Sequence, residues 1–209
     1  MSKKKIAIQG ELGAYSHIAA ENLYKDSEIK TCTTFEETFK QAYNDPSYKI
    51  VIPIENSLAG RVADIHYLLP KYKLQIHGEH FQAVEHNLLC KPDATISDIK
   101  FVRSHAQAIG QCQNLITKKK FKPIISADTA GSAKDLAEGK DITIAAIASE
   151  LSAKIYNLKI LEKNIEDEKG NVTRFLIMGK NIEQPEFKKE KKFITSCIFR
   201  VKSEPSALY

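Results

Sequence analysis

Gly170-Asn171-Val172-Thr173-Arg174-Phe175 joins a charged run, residues 163–169, to an apolar strand, Phe175-Leu176-Ile177-Met178. A turn residue, a hydroxyl and a guanidinium meet where a loop enters a strand. Glycine permits close backbone approach and arginine presents a planar fork of donors, so the junction suits a carboxylate. Taken alone, a Thr-Arg pair entering a strand is more often a solvated edge than a site. The rest of the chain has to decide between the two readings.

Working outward, strands alternate with helices. Residues 5–9 read as a short buried strand, followed by Gly10-Glu11-Leu12-Gly13-Ala14-Tyr15-Ser16 and a helix from residue 18. Strand, glycine loop and helix make an anion-binding layout, because helix N-terminal amides point outward. The glycines are three apart and the middle one is missing, so this is not a dinucleotide fingerprint. On spacing alone, a tight strand-to-helix turn is the favoured reading. Residues 31–34 form a strand, and Thr34 caps a helix over 35–43 with Glu37 three positions on. Residues 49–54 are a strongly apolar strand running directly into Glu55-Asn56-Ser57-Leu58-Ala59-Gly60-Arg61, where α/β proteins place ligands.

Residues 74–79 and 81–84 continue as extended segments. Ser104-His105-Ala106-Gln107 precedes a helical run over 108–116, and Ser104 with Gln107 has capping-box spacing, which alone accounts for both residues. Asp128-Thr129 opens a helix that Gly139 stops. Residues 142–147 are a strand and 148–156 a helix. The alternation predicts α/β architecture with mostly parallel sheets, and two such sheets on either side of a cleft.

The composition is that of an ordinary globular protein: 209 residues, 43% hydrophobic and 27% charged. No apolar run approaches the ~20 residues of a membrane-spanning helix. Met1-Ser2-Lys3-Lys4-Lys5 is followed by too short an apolar stretch for a signal peptide, so a cytoplasmic location is expected. Cys32, Cys90, Cys112 and Cys197 have no paired spacing and read as reduced core thiols, not a zinc site. The net charge of +5 is carried mostly by lysine, in clusters without interleaved aromatics. That is solvated surface and not a nucleic-acid patch, and it suits an anionic small substrate. Residues 182–192 form a polar linker, and a new strand begins at residue 193.

Four stretches together carry a specific resemblance: Gly10-Glu11-Leu12-Gly13-Ala14-Tyr15-Ser16, Pro53-Ile54-Glu55-Asn56-Ser57-Leu58-Ala59-Gly60, Ser104-His105-Ala106-Gln107-Ala108 and Asn171-Val172-Thr173-Arg174-Phe175. In their order and spacing, the chain resembles prephenate dehydratases over residues 4 to about 180. Ala106 stands where that family usually has proline. The resemblance implies a two-lobed, periplasmic-binding-protein-like (type II) catalytic domain over 1–181 with its site in the cleft. One lobe would hold residues 1–78 and 160–181, the other 79–159. Residues 193–209 are similar to the first strand and turn of an α+β ACT domain, incomplete in this chain. L-phenylalanine, the ligand of that module, is the expected effector where the module is whole. The family's assembly implies a homodimer or homotetramer.

The implied reaction converts prephenate into phenylpyruvate, carbon dioxide and water, driven by aromatisation and needing no cofactor or metal. By the resemblance, Thr173 is the catalytic residue, donating a hydrogen bond to the departing hydroxyl, with Glu55 and His105 as alternative proton sources. Arg174 and the amides near Ser104 would hold the retained carboxylate. Glu55, Asn56, Ser57 and Gln107 complete the substrate contacts, and Phe175 packs beneath. The competing reading is a non-catalytic cytoplasmic binder of an anionic aromatic metabolite, since fold does not fix function.

Overall fold

The first strand, β1 (Lys5–Gln9), has Ile6, Ala7 and Ile8 with no exposure at all, as a strand covered on both faces requires. A loop through Gly10 and Gly13 leads to α1 (Tyr15–Leu23). β2 (Glu28–Cys32) returns beside β1. Helix α2 (Phe35–Asn44) starts where Thr34 Oγ1 accepts from the Glu37 amide at 3.1 Å, while the Glu37 carboxylate accepts from the Thr33 amide at 2.9 Å. Next come β3 (Tyr48–Asn56), the two-residue β4 (Gly60–Arg61), α3 (Ala63–Tyr72) and β5 (Gln75–Ala83). The second lobe contains β6 (Asn87–Cys90), β7 (Phe101–His105), α4 (Ala106–Gly110), α5 (Gln113–Lys119), β8 (Lys122–Ser126), α6 (Thr129–Glu138), β9 (Ile144–Ala148), α7 (Glu150–Ile155) and β10 (Lys159–Glu162). β11 (Val172–Gly179) then returns to the first lobe. This computed structural model describes residues 3–181 together with 186, 188–190 and 192. The ACT-like strand and turn expected over 193–209 lie outside the described residues.

The first sheet has the order β2-β1-β3-β11-β5 with β4 on β3, and the second β10-β6-β9-β7-β8. This is the two-lobed α/β arrangement expected. The sheets are mixed, however, and not mostly parallel. β11 runs antiparallel to both β3 and β5, and β6 antiparallel to β9 and β10. The strands that carry the chain between lobes run against the strands they join. The lobe boundaries also move. β5 continues to Ala83, its end paired with Val172 to Arg174, so the first lobe extends past residue 78. Lys159 and Ile160 pair with Cys90 and Leu89, which puts β10 in the second lobe.

Each sheet is packed on both faces. In the first lobe Phe39, Ile50, Ile52 and Ile65 fill one side, and Ile6, Ile8, Val51 and Phe175 the other. In the second, Leu88, Val102 and Ile147 face one helical layer and Leu89, Ala133 and Ala148 the other. Cys32, Cys90 and Cys112 are buried free thiols within these cores. No helix among the described residues is long and apolar enough to cross a membrane.

The β1–α1 loop locks the lobes together. Gly13 O accepts from Ser149 Oγ at 2.6 Å and Ser152 Oγ at 3.1 Å, and Leu12 O accepts from the Tyr156 hydroxyl at 2.9 Å. Glu11 pairs with Lys134 at 3.1 Å. The middle of the glycine loop thus packs lobe against lobe, while Gly10, Ala14, Tyr15 and Ser16 line the cleft between them.

Candidate active site

β3 and β11 lie side by side with Thr173 opposite Asn56 and Arg174 opposite Glu55. Successive strand residues point to opposite faces, so Thr173 and Arg174 cannot share a site wall. Thr173 and Phe175 face a cleft of about 470 Å³ between the lobes, lined also by Tyr15, Asn56, Arg61, His86, His105, Gln107, Gln111, Asp128 and Asn171. Arg174 faces away. Its Nε and Nη2 converge on Glu79 Oε2 at 2.7 and 2.6 Å, and its guanidinium stacks against Phe81 with 6.0 Å to the ring centroid. Arg174 is therefore not the carboxylate clamp the sequence pointed to.

Asn56 sets the state of the threonine. Its Oδ1 accepts from the Leu58 and Ala59 amides at 3.0 and 2.9 Å, an Asx-type turn that fixes the amide. Its Nδ2 must then donate, and it does so to Asn171 Oδ1 at 2.6 Å and to Thr173 Oγ1 at 2.9 Å. Thr173, only 8% exposed, accepts from Asn56, and no acceptor for its own proton lies among the described residues. That proton is left for the cleft.

The polarity continues into the other lobe. Asn171 Nδ2 donates to Gln111 Oε1 at 2.9 Å. Gln111 Oε1 only accepts, so His86 Nε2, 2.9 Å away, carries a proton. The Tyr15 hydroxyl donates to Glu85 O at 2.5 Å, and His86 Nδ1 lies 3.2 Å from the same hydroxyl oxygen. Burial lowers the His86 pKa, against the raising effects of Gln111 and Glu166. Burial, reinforced by Glu166, raises the Tyr15 pKa well above the usual tyrosine range. Imidazole and phenol are therefore both neutral near pH 7. The result is a wall of uncharged, oriented donors and acceptors contributed by both lobes.

The other expected residues divide. Gln107 lines the cleft, and Phe175, 1% exposed, packs beneath it. His105 also lines the cleft. Its Nδ1 accepts from the Gln107 amide at 3.3 Å, which makes His105, and not Ser104, the cap of α4. Ser104 is fully buried and donates to Ile147 O at 2.7 Å, so it braces β7 to the neighbouring strand and does not reach the cleft. Ser57 accepts from the Val172 amide at 3.0 Å and donates to Gly170 O at 3.4 Å, pinning the loop to β11. Glu55 sits on the Arg174 side, 3.9 Å from it, and does not line the cleft. Asn171, Gln111, His86 and Tyr15 were not anticipated as site residues. Asn171 and Tyr15 fall inside the quoted motifs. Gln111 is exposed to the cleft by a break between α4 and α5 that the periodicity ran through. Among the described residues no group of three or more His, Cys, Asp or Glu side chains is placed to hold a metal ion.

The family model described as prephenate dehydratase matches residues 6–183. A bifunctional N-acyl-homoserine lactone acylase/prephenate dehydratase of Komagataeibacter europaeus is 39% identical over 207 residues, covering 98% of this chain and 72% of that protein. The chloroplastic arogenate dehydratase/prephenate dehydratase 2 of Arabidopsis thaliana is 39% identical over 208 residues, 100% of this chain but 54% of the relative. The crystal structure of prephenate dehydratase from Arthrobacter aurescens in complex with L-Phe superposes with a TM-score of 0.80 at 25% identity, covering 88% of this chain and 63% of that one. The chain thus spans between about half and three-quarters of the length of these relatives.

Proposed function

Because the chain belongs to the prephenate dehydratase family, we propose that it converts prephenate into phenylpyruvate, carbon dioxide and water. The observation that carries the proposal is the Thr173 hydroxyl, which lines the cleft and accepts from Asn56, with no acceptor for its own proton among the described residues. The C–O bond to the ring hydroxyl breaks, and the electron pair of the departing C–CO₂ bond enters the ring, which becomes aromatic. The hydroxide leaves as water on taking a proton. A threonine hydroxyl is too weak an acid to transfer its proton fully near pH 7, so Thr173 acts by a hydrogen bond that strengthens as charge builds on the oxygen. His105 also lines the cleft; with Nδ1 accepting from the Gln107 amide, Nε2 is the ring nitrogen left to face a ligand.

The same reading extends to a cytoplasmic enzyme of phenylalanine biosynthesis that assembles as a homodimer or homotetramer. The complex of the Arthrobacter relative with L-Phe supports L-phenylalanine as an effector. A pure binder of anionic aromatic metabolites needs no unpaired donor at Thr173, and turnover separates it from an enzyme. Purified protein incubated with prephenate should form phenylpyruvate at a rate proportional to enzyme. Saturable prephenate binding without phenylpyruvate would leave the binder.

A further inference from the structure

With Arg174 committed to Glu79 on the far face, the cleft needs another partner for an anionic ligand. Of the other arginines described, Arg103 pairs with Asp135 at 3.4 Å. Arg61 is the only lysine or arginine among the residues lining the cleft. It is exposed, and among the described residues no carboxylate lies within 4.0 Å of its guanidinium.

The strand register fixes its place. Gly60 pairs with Asn56, and Asn56 pairs with Thr173, so β4, β3 and β11 present Gly60, Asn56 and Thr173 in one row. Two strand spacings separate the ends of that row by roughly 10 Å. Arg61 is the next residue on β4 and pairs with Glu55, so it leaves the strand on the other face; the cleft reaches round the strand ends there, where Phe35 and Val62, packed with Phe39, line it beside Arg61. The Arg61 side chain thus starts roughly 10 Å from Thr173, at the edge of the cleft it lines.

We propose that Arg61 binds the side-chain carboxylate of the substrate, the one retained in the product. This rests on the dehydratase reading above. In prephenate the departing hydroxyl and the side chain lie at opposite ends of the ring. A ligand with its hydroxyl on Thr173 therefore carries its side-chain carboxylate towards Arg61. The carboxylate that becomes carbon dioxide gains nothing from a cation, since a charge-assisted hydrogen bond would stabilise it against leaving. A forked cation at the retained carboxylate grips substrate and transition state alike, which lowers KM without changing kcat.

Steady-state kinetics of wild type, Arg61→Gln and Arg61→Lys with prephenate, with phenylpyruvate as product inhibitor, tests this. Arg61→Gln should raise KM roughly 10- to 100-fold with kcat within about threefold of wild type. The phenylpyruvate inhibition constant should rise by the same factor, and Arg61→Lys should recover part of both. An active wild type whose Arg61→Gln variant keeps KM and the inhibition constant within about twofold overturns the assignment. So does a variant that loses kcat with KM unchanged. A wild type forming no phenylpyruvate refutes the dehydratase reading itself.

Discussion

Asn56 donates to Thr173, and not the reverse. Nδ2 lies 2.9 Å from Oγ1 across paired strands, while Oδ1 is held by the Leu58 and Ala59 amides. The direction of one hydrogen bond decides whether the threonine proton is available to a substrate.

Asn56→Asp tests that direction. The aspartate keeps the acceptor for the Leu58 and Ala59 amides, so the turn survives. Its second oxygen can only accept, and it draws the Thr173 proton out of the cleft. We expect kcat to fall on the order of a hundredfold, and the unfolding midpoint to drop as well, because the same oxygen now faces Asn171 Oδ1 instead of donating to it. Wild-type turnover in this variant would show that the direction is immaterial.

Arg174→Gln separates structure from binding. The arginine and Glu79 side chains are 25% and 28% exposed, so solvent screens their pair and its loss should cost only about 1 kcal/mol in urea unfolding. KM for prephenate should stay near wild type, because the guanidinium is not on the cleft. A tenfold rise in KM without loss of stability would return Arg174 to the site.

The ends of strands were legible in the sequence, and the connections between lobes were not. Asn56, Thr173 and Phe175 stand out because a polar cluster beyond a buried strand faces the cleft in this architecture. Arg174 was misread because its partner Glu79 lies 95 positions away on β5, beyond any local pattern. Ser104 has capping-box spacing, yet the helix starts one residue later than that box requires, with His105 as cap. Gln111 was hidden in what reads as one helix over 108–116 and is two, α4 and α5. The spacing of the glycine loop favoured a tight turn, and its contact with Ser152, 139 residues on, has no sequence signature.

Gly13 and Gly60 both have positive φ, at +91° and +80°, but only Gly13 is crowded. A Cβ on Gly13 would lie 2.8 Å from Ser152 Cα, whereas one on Gly60 would meet nothing within 4 Å. Gly13→Ala should therefore cost roughly 2–4 kcal/mol by disturbing the lobe contact, and Gly60→Ala about 1 kcal/mol from backbone strain alone. Equal urea midpoints for the two variants would contradict the lobe-locking role of the loop.

His77 should make the protein acid-sensitive. Burial first, and the Lys49 charge second, lower its pKa from the usual 6.5 to about 4, and its Nε2 has no hydrogen-bond partner. Below pH 6.5 the unfolded chain takes up a proton that the folded chain refuses until pH 4. Stability therefore falls as pH drops through that window. Urea unfolding at pH 7.5, 5.5 and 4.5 should show a smaller decline for His77→Leu than for wild type. Identical slopes would remove His77 from the account.

The central claim is that one hydroxyl, oriented by Asn56, assists the departing oxygen. The measurement that bears on it most directly is kcat for prephenate with Thr173→Val, which keeps the shape and removes the donor. We expect a fall on the order of a few hundredfold, about 3–4 kcal/mol, with KM within about threefold and an intact fold. A Thr173→Val enzyme turning over prephenate at the wild-type rate would contradict it.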